Sequence, residues 1–196
     1  MNAQAVARKV TDAVVRRPWT WRFFRRRMQG LFDDLAPTWE TRLGPHHLLA
    51  LREAVDSLEP RHVLDAGTGT GKAAIALAEW FPDADVVGID LSPAMVAEAE
   101  RQAAGRARFQ VADASSLPFQ DGSFDLVVLM NAIPFFDELA RVTAPGGIVV
   151  SSFSRGPETP IYVSEERLRR GLAGRGFGEF ASFAADPTTA FRARKL

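Results

Sequence analysis

The residues of this sequence whose types and spacing suit chemistry are a run of glycines and three carboxylates. Residues 63–71 read VLDAGTGTG, so Gly67, Gly69 and Gly71 follow directly on Asp65 and Ala66. Glycines at a strand–helix junction let a ligand approach the backbone and the N–H groups that open the helix. Three ligand classes use such a loop. A triphosphate loop needs four residues between its first glycine and a Gly-Lys-Ser/Thr ending. Here Ala66 stands where that glycine belongs, and Ala73 follows Gly71 and Lys72 where the magnesium-binding hydroxyl belongs. A dinucleotide loop needs G-x-G-x-x-G, and the third glycine comes one residue early. Asp65, just before the loop, would repel a pyrophosphate and suits a cationic ligand.

Two further acids end the next two apolar runs. Asp90 closes residues 85–90, where a carboxylate can accept both hydroxyls of a ribose. Asp113 follows Val111 and Ala112, where a carboxylate can take an exocyclic amino group. Acids at three successive strand ends face one crevice in an open α/β sheet, and an adenosine with a cationic tail fits all three.

Positioning these residues requires strands that alternate with helices. From Pro60 onward, strands are expected at 62–65, 85–90, 108–112, 124–130 and 148–153, with helices at 72–80, 94–104, 133–143 and 164–174. Ser92 offers an N-cap with Pro93 at the first helical position, and Pro145, Gly146 and Gly147 stop the helix before the fifth strand. The last twenty residues read as two strands around Asp186 and Pro187. Ahead of this core, two helical patterns part at Pro18. In the second, Trp21, Phe24, Met28, Leu31 and Phe32 share one side and Arg22 and Arg26 the other. A further helix, 46–58, leads into the first strand. The expected organisation is an N-terminal basic helical arm or lid, 1–44, and a core domain, 45–196.

The length of 196 residues allows one α/β domain plus an arm, and 46% hydrophobic with 24% charged residues excludes wholesale disorder. Zero cysteine removes disulfides, thiolate nucleophiles and thiolate metal sites, and leaves only His46, His47 and His62 as imidazoles. His46 and His47, at a helix start, read as surface or capping residues, and no metal site is expected. The balanced charge hides an asymmetry: residues 1–28 carry eight basic residues against Asp12 alone, about +7. That run reads as a solvated helix face, or as an arm on an anionic membrane surface, or less readily as an RNA-binding arm. Arginine outnumbers lysine 21 to 3 throughout, which weakens any phosphate argument from arginine itself, and no nucleic-acid partner is expected. Neither a membrane span nor a signal peptide is visible, so a cytoplasmic setting is expected.

Four ordered segments resemble the class I S-adenosylmethionine (SAM)-dependent methyltransferases of the ubiquinone/menaquinone-biosynthesis-like type. They are VLDAGTGTG (63–71), VVGIDLSPAMVAEAE (86–100), FQVADASSLPFQDGSFDLVVLMNAI (109–133) and LARVTAPGG (139–147). The resemblance implies a Rossmann-like α/β fold: a seven-stranded, mostly parallel sheet with an antiparallel C-terminal hairpin and helices on both faces. It implies SAM as cofactor. Asp65, Ala66, Gly67, Gly69 and Gly71 would lie at its methionine end, Asp90 at the ribose and Leu91 on the adenine face. Asp113 and the Ala114 amide would meet the adenine edge, and Asn131 the ammonium or the methyl-transfer locus.

The sequence departs from many such relatives in having little chain after the fourth and fifth strands to cover a substrate. Cover is expected from the arm, where LFDDLAPTWE (31–40) resembles the segment preceding the core in this family and supplies Phe32 and Trp39. Tyr162, in the loop after the fifth strand, is a further candidate to face substrate. The arm is thus expected to serve the acceptor and not the cofactor, so that removing residues 1–28 would spare SAM binding. The activity implied is methyl transfer to oxygen, carbon or nitrogen of a small molecule. Two rivals stand beside it: a SAM-binding regulatory module without turnover, and an NAD-dependent oxidoreductase, which the glycine count and Asp65 oppose.

Overall fold

The computed structural model describes residues 3–42, 44 and 46–196. Two amphipathic helices come first, α1 (Ala3–Arg16) and α2 (Trp21–Leu35), parted by a 3-10 turn that opens at Pro18. Then follow α3 (Leu49–Val55), β1 (His62–Ala66), α4 (Lys72–Trp80), β2 (Asp85–Asp90), α5 (Pro93–Ala103) and β3 (Arg108–Val111). The chain ends with β4 (Phe124–Met130), α6 (Phe136–Val142), β5 (Thr143–Phe153), α7 (Glu165–Ala173), β6 (Phe177–Ala185) and β7 (Thr188–Lys195).

The strands form one seven-stranded sheet in the order β3-β2-β1-β4-β5-β7-β6. The first five run parallel and β7 enters antiparallel between β5 and β6, as the resemblance implied. Successive residues of a strand point to opposite faces. Leu64, Val87 and Val127 therefore pack on one side with Leu139, Leu168 and Leu172 of α6 and α7. Val63, Leu126 and Val128 pack on the other with Leu51, Val55, Ala74 and Leu77 of α3 and α4. Strand order reverses between β1 and β4, and an open sheet leaves a crevice beyond its strand ends at that point.

Several boundaries differ from the sequence reading. α3 covers only Leu49–Val55 of the expected 46–58: the residues at either end form turns, with the Leu49 N–H on the His46 carbonyl and the Leu58 N–H on the Val55 carbonyl. α6 begins at Phe136 and not at 133, since Pro134 turns the residue before it out of helix. β5 begins at Thr143, five residues early, where a register shift against β4 lets Gly146 turn through φ +75° inside the strand. β3 ends at Val111, so Asp113 sits in the turn beyond it. Leu31 is 37% exposed while Trp21 and Met28 are buried; it lies about 80° round the helix from Trp21, at the edge of the apolar stripe.

The arm packs onto the core. Val10, Val14, Trp21 and Met28 form an apolar cluster with Ile133 and Phe135 from the segment after β4. The Arg8 guanidinium donates to the Pro157 and Thr159 carbonyls at 2.6 and 2.9 Å, and Arg167 of α7 pairs with Asp12. No described helix is long and apolar enough to cross a membrane.

Candidate functional site

The glycine loop joins β1 to α4 and bends through three positive φ angles, +79° at Gly67, +55° at Gly69 and +85° at Gly71. A Cβ on Gly67 would lie 2.7 Å from Ala132 Cβ, so only glycine lets the loop nest against the end of β4. Gly71 faces Ala99 and Phe109 instead, and it closes the packing of α4 on α5 and β3. Trp39 reaches over the loop, its indole Nε1 3.5 Å from where a Gly69 Cβ would be.

Asp65 is fully buried beneath this loop. Its Oδ2 accepts from Thr68 Oγ1 at 2.6 Å and from the Ala74 N–H at 3.1 Å, which ties the loop to the first turn of α4. Among the described residues its Oδ1 has no partner. Burial pushes the carboxyl up to about 6 against the pull of those two bonds, and the Asp90 charge adds to the rise.

Asp90 ends β2 with both oxygens held by local backbone: Oδ2 accepts from the Gly69 N–H and Oδ1 from the Ser92 N–H, each at 2.9 Å. Burial raises its pKa, and Asp33 nearby raises it further. Ser92 caps α5 as expected, its Oγ accepting from the Met95 N–H at 3.1 Å. The same hydroxyl donates to Asp33 of α2, which also accepts from the Ala94 N–H at 3.4 Å. Asp113 is held differently. Its Oδ1 accepts from the Ser115 N–H and from the Trp21 indole Nε1–H, both at 2.9 Å, and Arg25 lies 3.7 Å from Oδ2.

These parts surround one crevice. Its polar side is formed by Gly67, Thr68, Gly69, Asp90, Asp113 and Asn131, with Leu91 and Ala114 beside them. Its apolar side is formed by Trp21, Met28, Phe32, Trp39, Ile133, Phe135 and Ile161. The arm therefore reaches Asp113, which the sequence reading had kept apart from it. Asp65, Ala66 and Gly71 stay off the crevice wall. Asn131 is on the wall in a left-handed conformation (φ +53°), but its side chain is engaged with Ser154, donating to Oγ and accepting from N–H at 2.9 Å each.

Tyr162 does not face the crevice: its ring packs edge-on against Phe153, centroids 4.9 Å apart. The turn closed by the Tyr162 N–H on the Thr159 carbonyl presents Ile161 instead. Trp21, Met28, Ile133, Phe135 and Ile161 were not foreseen as lining residues. The helical spacing of Trp21, Met28 and Phe32 was visible, but nothing in it says whether a stripe covers core or crevice.

A family model described as "Methyltransferase domain" matches residues 63–147. A demethylmenaquinone methyltransferase from Thermus thermophilus is 40% identical over 149 residues, covering 65% of this chain and 66% of its own. A malonyl-[acyl-carrier protein] O-methyltransferase from Dechloromonas aromatica is 35% identical, covering 68% of this chain and 52% of its own. The chain thus spans about half to two thirds of the length of these curated relatives. Among solved structures, the complex of a Haloferax volcanii methyltransferase with its Trm112 activator shares the fold at TM-score 0.70 and 22% identity, over 84% of this chain and 97% of that one. Sheet order, glycine loop, strand-end acids and these likenesses agree, and the chain belongs to the class I SAM-dependent methyltransferases of the menaquinone/ubiquinone-biosynthesis-like type.

Proposed function

We propose that the protein transfers the methyl group of SAM to a small apolar acceptor held in this crevice. The observation that carries the reading is the meeting of Asp90, Asp113 and the open backbone of Gly67 and Gly69 in one place, on a loop that buries the Asp65 carboxylate. Such a set suits an adenosine with a positive charge at its far end. In this reading Asp90 takes the ribose hydroxyls, its carboxylate oriented by the Gly69, Ser92 and Leu91 N–H groups. Leu91 lies on the adenine face, Asp113 and the Ala114 amide on its edge, and Gly67, Thr68 and Gly69 with Asn131 around the methionine end.

When bound, SAM supplies an electrophilic methyl on a sulfonium. Gly67, Gly69, Asp90 and Asp113 would hold that group, and the acceptor would take its methyl in exchange for a proton of its own. Among the described residues lining the crevice, only Lys72, Asp90 and Asp113 are ionisable. The residues therefore act by alignment and by keeping water out, with Met28, Phe32, Ile133, Phe135 and Ile161 as the dry wall. That wall suits a flat apolar acceptor, and the demethylmenaquinone in the name of the Thermus relative is of that class.

The outward face of α2 supports delivery from a membrane surface on the cytoplasmic side. Phe23 is 62% exposed there and Trp19, in the 3-10 turn just before the helix, is 57% exposed; Arg22 lies over both rings, and Arg26 and Arg27 are exposed beside them. The test is calorimetry with SAM and NADH, followed by transfer of labelled methyl to quinols and other small acceptors, with and without anionic vesicles. SAM binding and transfer are expected, with any vesicle effect fading in salt. Tight NADH binding without SAM binding overturns the reading. SAM binding with no transfer to any acceptor favours a regulatory module.

A further inference from the structure

The inner face of α2 does more than roof the crevice. Trp21 is buried edge-on against Phe135, centroids 5.6 Å apart, and directs its one polar atom at Asp113 Oδ1 across 92 residues of sequence. One turn on, Arg25 stands 3.7 Å from Asp113 Oδ2. Near the other end of the same helix, Asp33 takes the Ser92 hydroxyl, and the Ser92 N–H holds Asp90. One helix thus touches both adenosine acids, Asp113 directly and Asp90 through Ser92.

The two donors on Asp113 are not equivalent. The Ser115 N–H alone would pin one oxygen and leave the carboxylate free to swing about that bond. With the indole N–H added, both lone pairs of Oδ1 are used, and Oδ2, which Arg25 faces at 3.7 Å without a hydrogen bond, is the oxygen left for a ligand. The geometry points to Trp21 as a positioning residue for base recognition: it locks Asp113 so that Oδ2 is presented to the exocyclic amino group of an adenine, and so couples seating of the arm to binding of the nucleoside. Trp21 acts through Asp113 and touches no reacting atom. The inference rests on the methyltransferase reading of the site and adds to it a residue outside the span matched by the family model.

The test uses the full chain and two ligands, S-adenosylhomocysteine and S-inosylhomocysteine. In the second, a ring carbonyl replaces the amino group and sets a lone pair against the carboxylate. The wild type should prefer the adenosyl ligand by about 10- to 100-fold. Trp21→Phe keeps a ring against Phe135 and removes the donor together with part of the buried ring. It should weaken the adenosyl ligand by about 3- to 10-fold and leave the inosyl ligand within about twofold, narrowing the preference. In an Asp113→Ala background the same substitution should change adenosyl binding by less than about twofold. Equal losses for both ligands, or full additivity with Asp113→Ala, would make Trp21 a packing residue and overturn the proposal. A second readout needs no Trp21 variant: the Trp21 indole N–H resonance should move when S-adenosylhomocysteine binds and move again in Asp113→Ala. A resonance indifferent to both overturns it too. If the wild type binds neither SAM nor S-adenosylhomocysteine, the methyltransferase reading itself falls, an outcome distinct from intact binding without discrimination by Trp21.

Discussion

Asp90 and Asp113 occupy neighbouring strand ends of one crevice and are secured in opposite ways. Asp90 is held by Gly69 and Ser92, backbone donors from the loop and helix start flanking its own strand. Asp113 has one local donor, Ser115, and takes its second from Trp21 on an arm helix 92 residues away. In the proposed reading, the ribose acid is thus held directly by backbone of the α/β core, with α2 reaching it only through Asp33 and Ser92, whereas the base acid takes a direct donor from that separate amphipathic helix. Damage to the arm should therefore fall on one end of the nucleoside and damage to the loop on the other.

The largest effect is expected from deleting residues 1–28. This removes Val10, Val14, Trp21 and Met28 from Ile133 and Phe135, each burial worth about 1.5–3 kcal/mol, so stability should fall by about 5 kcal/mol or more. Affinity for S-adenosylhomocysteine should fall with it, against the sequence reading, which had the truncated chain bind SAM normally. Urea unfolding and calorimetry on the truncated protein decide; a chain as stable and as tight as the full one would mean that the base end is as self-sufficient as the ribose end.

Next in size is Asp90→Ala, which takes away charge-assisted acceptors and should weaken SAM by about 10- to 100-fold while the fold survives. Unchanged affinity in a folded variant removes Asp90 from the site and the ribose end from the comparison.

The smallest effect concerns Asp65, raised from 3.8 to about 6. Because the folded state holds this proton more tightly than the unfolded chain, the contribution of Asp65 to stability is full below about 4 and is lost as pH rises through about 6. Between pH 5 and 7 that loss amounts to about 1 kcal/mol, and Asp65→Ala should flatten it. Equal slopes in the two proteins would show that Asp65 titrates normally and that burial under the loop does not penalise its charge.

Much of the core was legible because its signals are local. Ser92 and Pro93 mark a helix start through capping chemistry within four residues, and the unbroken apolar run Leu126, Val127, Val128 and Leu129 marks a strand buried on both faces. Where the reading erred, a neighbour outside the local window intervened. Pro145, Gly146 and Gly147 looked like a helix stop, yet they fall inside β5, in the bulge between Thr143 paired with Phe124 and Ile148 paired with Leu126. Tyr162 looked like the residue to face substrate, yet the turn at Thr159 sends it to Phe153 and exposes Ile161.

The sequence by itself determined the strand–loop–helix run, the glycines at positive φ and the placement of Asp65, Asp90 and Asp113 at or just past strand ends. Hydrogen-bond geometry and side-chain period act over a few residues and need no knowledge of the rest of the chain. Only the tertiary structure decided that Asp65 is sealed under its loop, that Asn131 turns to Ser154, and that Trp21 closes on Asp113. A helical stripe states that it must be covered and not by what; the partner is chosen when two apolar surfaces pack, and here that packing of α2 on Ile133 and Phe135 carries one indole N–H to a carboxylate that no local pattern could pair with it.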